Sequence, residues 1–354
     1  MRKQFIILVL ISSLLYLSGC NTNHTSNLLT STPQTQIKSS LSYINMSDQN
    51  NGWALSDASV LKSTDGGTDW VKVTPSGFPT TVNEFHGFFL NEKIGWVGVS
   101  SPDSIDVYRT TNGGTNWDKY TMKMGASNIN LFFSDDRHGW LLDFLGAAAG
   151  YDPVSIFKTD DGGTTWKSAS DINTNGPKNG IYFKDSMNGW ITGQQPSGKN
   201  IYYITKDGGL SWNISGFRPD QAGNNFFSTT YPPIFSDFNQ GFLPVTYSVN
   251  QTNSTILYRT LDGGKTWVGT TPVNINAFYF SIISDICWVS DGNTLYKSDD
   301  AGKTWLMLNN KIASEDITQL DFINNKIGWA IGLNSLYKTI DGGEHWSEIG
   351  IKVK

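Results

Sequence analysis

The chain has 354 residues with 26 basic and 31 acidic side chains, a net charge of −5 at pH 7. Without a long block of either sign, this balance excludes the basic footprint that nucleic-acid binding requires. Only two cysteines, Cys20 and Cys287, are present, so a disulfide framework is excluded as the force that holds the fold.

The chain opens Met1-Arg2-Lys3 and continues through the apolar run Phe5 to Leu17, the pattern of a secretory signal, too short to count on as a membrane span. The run ends in Leu17-Ser18-Gly19-Cys20, which resembles the lipobox of bacterial lipoproteins, so residues 1–19 are expected to be removed and Cys20 to carry lipid. Without Arg2 and Lys3 the basic residues fall to 24 against 31 acidic ones, a net charge near −7. Residues 20–40 are rich in Ser, Thr, Asn and Gln and read as a flexible tether with little to bury. Cys287 then has no partner, and its run Ile286-Cys287-Trp288-Val289 predicts a buried, inert thiol.

Residues 41–354 are a repeat array. Ser63-Thr64-Asp65-Gly66-Gly67-Thr68-Asp69-Trp70 and Thr159-Asp160-Asp161-Gly162-Gly163-Thr164-Thr165-Trp166 share the pattern Ser/Thr-x-Asp-x-Gly-x-x-Trp. Seven copies place Asp65, Asn112, Asp161, Asp207, Asp262, Asp300 and Asp341 ahead of Trp70, Trp117, Trp166, Trp212, Trp267, Trp305 and Trp346, with Ala301 where the other copies have their first glycine. Successive copies lie about 40 to 55 residues apart, the length of one four-stranded blade. A second column precedes each copy: Gly-Trp at Trp53, Trp96, Trp140, Trp190 and Trp329, with Cys287-Trp288 and Gly241-Phe242 as variants. The two columns account for all 13 tryptophans, which leaves none over for a binding site.

The seventh unit shows the internal order. Gln319 to Ile323 alternates as a strand, Asn324 to Lys326 turns, and Gly328 to Gly332 returns. Leu336 to Thr339 forms a third strand, the aspartate motif turns, and Trp346 to Ile349 forms a fourth. The aspartate can accept backbone N–H bonds and the glycines supply positive φ. The expectation is an all-β fold: a seven-bladed β-propeller with four-stranded antiparallel blades, the aspartate turn between third and fourth strands. Seven complete units fit without exchange of a strand between the termini.

These motifs resemble the Asp-box, or bacterial neuraminidase repeat, superfamily, and the added Gly-Trp column is most similar to the photosystem II assembly and stability factor family and its relatives in non-photosynthetic bacteria. The resemblance covers about residues 41 to 353. It implies a propeller whose box acids are structural and lie away from the functional face. Sialidases carry the same boxes, and their chemistry needs three arginines, a tyrosine with a glutamate partner, and an acidic group. Of the five arginines here, Arg2 leaves with the signal, while Arg109 and Arg259 stand at the strand position that Lys62, Lys158, Lys297 and Lys338 occupy elsewhere. Arg137 and Arg218 remain, one short of a triad. Phe217-Arg218-Pro219-Asp220 lacks the isoleucine of the Phe-Arg-Ile-Pro signature. The four histidines lack metal-ligand spacing, the pairs Asp160-Asp161 and Asp299-Asp300 lack the calcium-loop spacing, and no catalytic residue, metal or cofactor is expected.

In antiparallel blades the first-to-second and third-to-fourth turns share one face, the turn face, and the remaining connections share the other, the loop face. Length variation falls on the loop face: 144–153 in unit three, 194–200 in unit four, 246–253 in unit five, and the link 213–231. The candidate binding residues are therefore Tyr151, Asp152, Arg218, Asp220, Phe226, Phe227, Tyr231 and Tyr247, aromatics with a few charges suited to a protein or glycan. The functional expectation is a non-enzymatic, lipid-anchored, extracytoplasmic binding or assembly-assisting scaffold. It would be a monomer whose only membrane contact is its lipid, with a glycan-binding module as the alternative and a sialidase-type hydrolase behind it.

Overall fold

The computed structural model describes residues 41–354 apart from 57, 80–84, 125–127, 147–151, 173–175, 196–199, 218–226, 250, 309–316 and 334. The signal, the tether and Cys20 lie outside the described residues. Among the described residues there are thirty strands and no helix, and hence no helix long and apolar enough to cross a membrane.

The strands form six sheets. The first contains Tyr43–Met46, Gly52–Ser56, Ser59–Ser63 and Asp69–Lys72, each hydrogen-bonded antiparallel to the next. Four-stranded antiparallel sheets of the same order cover residues 85–122, 128–172, 279–308 and 319–349. A nine-stranded sheet covers 178–269 and joins units four and five, because Gln194 and Gln195 continue past unit four to pair with Thr229 and Ser228. Two segments expected as loops are in part strand. Gly241–Val249 and Thr252–Thr260 form one long hairpin, and Phe227–Thr230 pairs with its far half. Thr, Tyr, Val and Ser alternate along 245–249, and that half-buried β pattern prevailed over the turn-forming Asn250-Gln251 that follows.

The Gly-Trp column is explained by stacking between units. At each such glycine a Cβ would collide with a side chain at the end of the unit's own first strand: Phe89 at Gly95, Phe133 at Gly139, Phe183 at Gly189, Phe235 at Gly241 and Phe322 at Gly328. The space the glycine leaves lets that phenyl ring lie flat on the tryptophan of the preceding unit. Trp96 stacks on Phe133 at 3.7 Å between centroids, Trp140 on Phe183 at 3.5 Å and Trp288 on Phe322 at 3.8 Å. The box tryptophan of the phenyl's own unit meets the ring edge-on, as Trp166 does at Phe133 and Trp346 at Phe322. Burying one such indole stabilises the fold by roughly 4–6 kcal/mol as an upper estimate.

The last sheet returns onto the first. Trp96, Trp140 and Trp288 each donate the indole N–H to the first box glycine of a neighbouring unit, Gly162, Gly208 and Gly342, and Trp329 donates likewise to Gly66 across 263 residues of chain. Gln319 holds Ile44 through both its backbone N–H and C=O, at 2.7 and 2.6 Å, and Asp321 accepts the N–H of Met46 at 2.6 Å. Such bonds recur along the inner strands. His86 accepts from Leu131, Ser281 accepts from Phe322, and Asn179 donates to the carbonyl of Thr230. The first and last units each supply their own four strands, as expected, but the expectation did not include a further strand from the C-terminus. Lys352–Val353 pairs in parallel with Asp69–Lys72 and gives the first sheet a fifth strand. The outer strand of unit one had a free edge, and the C-terminal residues satisfy part of its backbone.

Candidate functional site

The two faces can be assigned from hydrogen bonds. In every unit the residue after the box acid donates its N–H to a carbonyl in the turn between the first two strands. The pairs are Gly66 to Asn50, Gly113 to Lys93, Gly162 to Arg137, Gly208 to Met187, Gly263 to Asn239, Ala301 to Asp285, and Gly342 to Lys326. Both kinds of turn therefore share one face, and the glycines, like Ala301 at φ 63°, take left-handed backbone to do it.

The box acids are consumed in building this face. Asp65 accepts from the backbone N–H of Thr68 and Asp69, and Asp161 from the N–H and hydroxyl of Thr165. The hydroxyl and N–H of Ser211 hold the Asp207 carboxyl down at about 2, and the N–H and hydroxyl of Thr304 do the same for Asp300. Asp262 is held low by Thr266, and Asp341 by His345 against the opposing effect of burial. Asn112 makes the corresponding bond to Asn116 without a charge. The first acid of each Asp-Asp pair bonds elsewhere: Asp160 with Lys158 at 3.2 Å and Asp299 with Lys297 at 3.0 Å.

In six of the seven units a cation stands just ahead of the box and packs over the aromatic of the Gly-Trp column in its own unit; unit four has Ile204 there. Lys62 lies over Trp53, Arg109 over Trp96, Lys158 over Trp140, Arg259 over Phe242, Lys297 over Trp288 and Lys338 over Trp329, at 4.9 to 5.9 Å. Arg109 also donates to the carbonyl of Asp136, and Arg259 pairs with Asp285 at 2.6 Å. Both arginines thus bind the next unit. Trp70 and Trp166 are buried and the other box tryptophans half-buried. Five of their indole N–H groups bond within the turn, at Trp70, Trp212 and Trp346, or to the preceding unit, at Trp117 and Trp305, while those of Trp166 and Trp267 are buried without a hydrogen-bond partner among the described residues.

On the loop face, Tyr151, Arg218, Asp220 and Phe226 lie outside the described residues. Tyr231 and Tyr247 are buried, Tyr231 against Phe280 at 5.0 Å, so neither offers a free ring. Phe227 is 60% exposed and Asp152 half-exposed. Beneath Asp152 the buried Lys178 donates to the carbonyls of Asp152 and Gly176, both at 2.9 Å, and burial lowers its pKa. A second buried ionisable group lies in unit three: Asp143 is fully buried, neither carboxylate oxygen has a hydrogen-bond partner, and desolvation pushes its pKa up to about 6. Sequence reading missed both, because neither belongs to a repeated motif: Asp143 stands where other units have Ser56, Val99 or Val245, and Lys178 where unit three has Asn128.

Cys287 is buried and its thiol is pushed up by burial. Among the described residues Asp341, Glu344 and His345 bring ligand atoms within 4.8 Å of one another, but Asp341 is already committed to its turn. Exposed apolar residues on the turn face also escaped the sequence: Met187, Leu210, Phe238 and Leu261 in units four and five, and Ile340 in unit seven. The signal available was their position, since other units carry mostly polar residues there.

No protein-family model matches the chain, and no curated protein matches it by sequence. Solved structures do. The GH74 xyloglucanase of Xanthomonas campestris superposes with a TM-score of 0.60 at 11% identity, over 87% of this chain and 54% of the enzyme. The Dos1 propeller matches at 0.54 and 9% identity, over 88% of this chain and 80% of that one. A PL25 ulvan lyase matches at 0.50 and 11% identity, over 74% and 81%. The chain is a β-propeller. It spans about half the length of the xyloglucanase, and at such identities the likeness shows the fold alone.

Proposed function

We propose that the chain is a seven-bladed Asp-box propeller, held outside the cytoplasm by lipid on Cys20, that binds a partner and catalyses no reaction. The observation that carries this reading is the commitment of the box carboxylates to their own turns, which leaves them acceptors of local N–H and O–H groups rather than acids or bases. Arg109 and Arg259, spent on contacts between units, support it. The binding set is the loop face of units three to five, Tyr151, Asp152, Arg218, Asp220, Phe226 and Phe227. Metabolic labelling with an alkynyl fatty acid should tag the wild-type chain and not Cys20→Ser. A fluorogenic sialoside assay should show no turnover, and measurable turnover would overturn the non-enzymatic reading.

A glycan ligand is the second reading. The structural likeness to a xyloglucanase and an ulvan lyase favours it, together with the exposed ring of Phe227. A glycan array probed with the mature protein separates the two, with Phe227→Ser abolishing any true signal.

A further inference from the structure

The turn face is polar around most of the array. At the second position of the first-to-second turn stand Gln49, Glu92, Asp136, Ser186 and Asn325, but Phe238 in unit five. At the third stand Asn50, Lys93, Arg137, Asn239 and Lys326, but Met187 in unit four. Within the boxes, Leu261 and Leu210 replace residues that are polar in other units, Ile340 excepted. Phe238, Leu210 and Leu261 are 62 to 63% exposed and Met187 47%.

Hydrogen bonds bring the four together. Gly208 bonds Met187 and ties the two turns of unit four, Gly263 bonds Asn239 and ties those of unit five, and Lys184 crosses between units to the carbonyl of Gly263 at 2.9 Å. Lys184 also lies over the ring of Phe238 at 4.1 Å. Single exposed apolar residues are ordinary on a protein surface, whereas a group of four confined to two adjacent units is not accounted for by folding.

The charge around the group is directional. Asp185, Asp207, Asp237 and Asp262 point back into their turns and accept local N–H or O–H bonds. Lys206 and Lys265 are exposed, and among the described residues neither has an ion-pair partner. Burial lowers the pKa of Lys184, with Asp185 opposing the shift and the nearby Lys265 adding to it. The charges beside the apolar group that have no turn of their own to bond are the ammonium groups of Lys206 and Lys265, on a chain that is acidic as a whole.

We propose that the turn face of units four and five is a docking surface for a protein segment bearing apolar side chains flanked by carboxylates. The apolar side chains would cover Phe238, Leu210, Leu261 and Met187, and the carboxylates would reach Lys206 and Lys265. This surface is on the opposite face from the loop set and stands independently of it.

The test is site-specific photo-crosslinking of the full chain in its own cells, with benzoylphenylalanine in place of Phe238. The expected result is a discrete adduct whose cross-linked peptide contains both apolar and acidic residues. Lys206→Glu with Lys265→Glu should reduce it about tenfold, and the same photo-residue at exposed Leu333 should not form it. That peptide, synthesised, should bind the mature protein at least about tenfold more tightly than it binds Leu210→Ser/Leu261→Ser, a variant whose changes lie on the surface. No adduct, an adduct to lipid, to glycan or to a second copy of this chain, or one indifferent to the lysine reversals would overturn the proposal.

Discussion

Replacing Asp143 with Asn should stabilise the protein at neutral pH and leave it nearly unchanged in mild acid. Asp143 lies on Gly139–Phe144, on the side of the strand shared with Leu141 and, across the pair, with Ile129. That side meets unit two, where a Cβ on Gly98 would strike both Ile129 and Leu131. The carboxyl is fully buried there with no hydrogen-bond partner, and burial raises its pKa from 3.8 to about 6. Because the folded value lies above the unfolded one, the native state holds the proton more firmly. The resulting stability is fully present below about pH 4 and is lost as pH rises through about 6. A gap of about two pKa units corresponds to at most about 3 kcal/mol. Asn matches the size of the neutral acid and never ionises, so it avoids that loss. Urea unfolding at pH 4, 6 and 7.5 would measure it: the two proteins should nearly coincide at pH 4, diverge between about pH 4 and 6 and stay apart by a constant amount above that, the variant being the more stable. Parallel curves over the whole range, or a variant weaker at pH 7.5, would refute the argument.

Ala301→Gly should raise stability by roughly 1 kcal/mol, read as a higher urea midpoint at unchanged slope, because Ala301 holds φ at 63° where a Cβ is disfavoured. Gly139→Ala should cost about 1–3 kcal/mol in the same measurement, since the new methyl group meets Phe133 and breaks its stack with Trp96. Gln319→Leu should cost about 2–4 kcal/mol by leaving the N–H and C=O of Ile44 buried without partners, with hydrogen exchange at Ile44 reporting the loosened contact between the last and first sheets.

The strand order was legible because two tryptophan columns fix the phase of every unit. In the seventh unit the pattern predicts strands over 319–323, 328–332, 336–339 and 346–349, and the strands are Gln319–Phe322, Gly328–Ile331, Leu336–Thr339 and Ser347–Ile349. The purpose of the Gly-Trp pair was not legible, since the ring that fills the glycine's space belongs to an earlier strand and the tryptophan it covers to another unit. The C-terminal strand escaped for a similar reason: two residues carry no periodicity, and their partner lies at the far end of the chain. At the candidate site, long connections were a sound guide to where length varies and a poor guide to exposure. Tyr247 sits on the inner side of an extended hairpin that composition alone made look like a loop. Phe238 and Leu261 were passed over because they sit inside motifs already explained by turns.

The placement of the tether bears on both proposed surfaces. The first strand, Tyr43–Met46, runs toward the turn that bonds Gly66, so residue 41 lies at the loop-face end. Under the proposed lipidation of Cys20, the loop face would be the one nearer the membrane and the turn face the one directed away. A partner of the loop set is then close to the membrane, while a partner at Phe238 and Leu261 approaches from the surrounding medium. Removing residues 25–36 should therefore impair binding at the loop face, by shortening the chain between Cys20 and the first strand, and leave the cross-link from position 238 intact. Loss of that cross-link on shortening would mean that the turn face, and not the loop face, is the one held near the lipid.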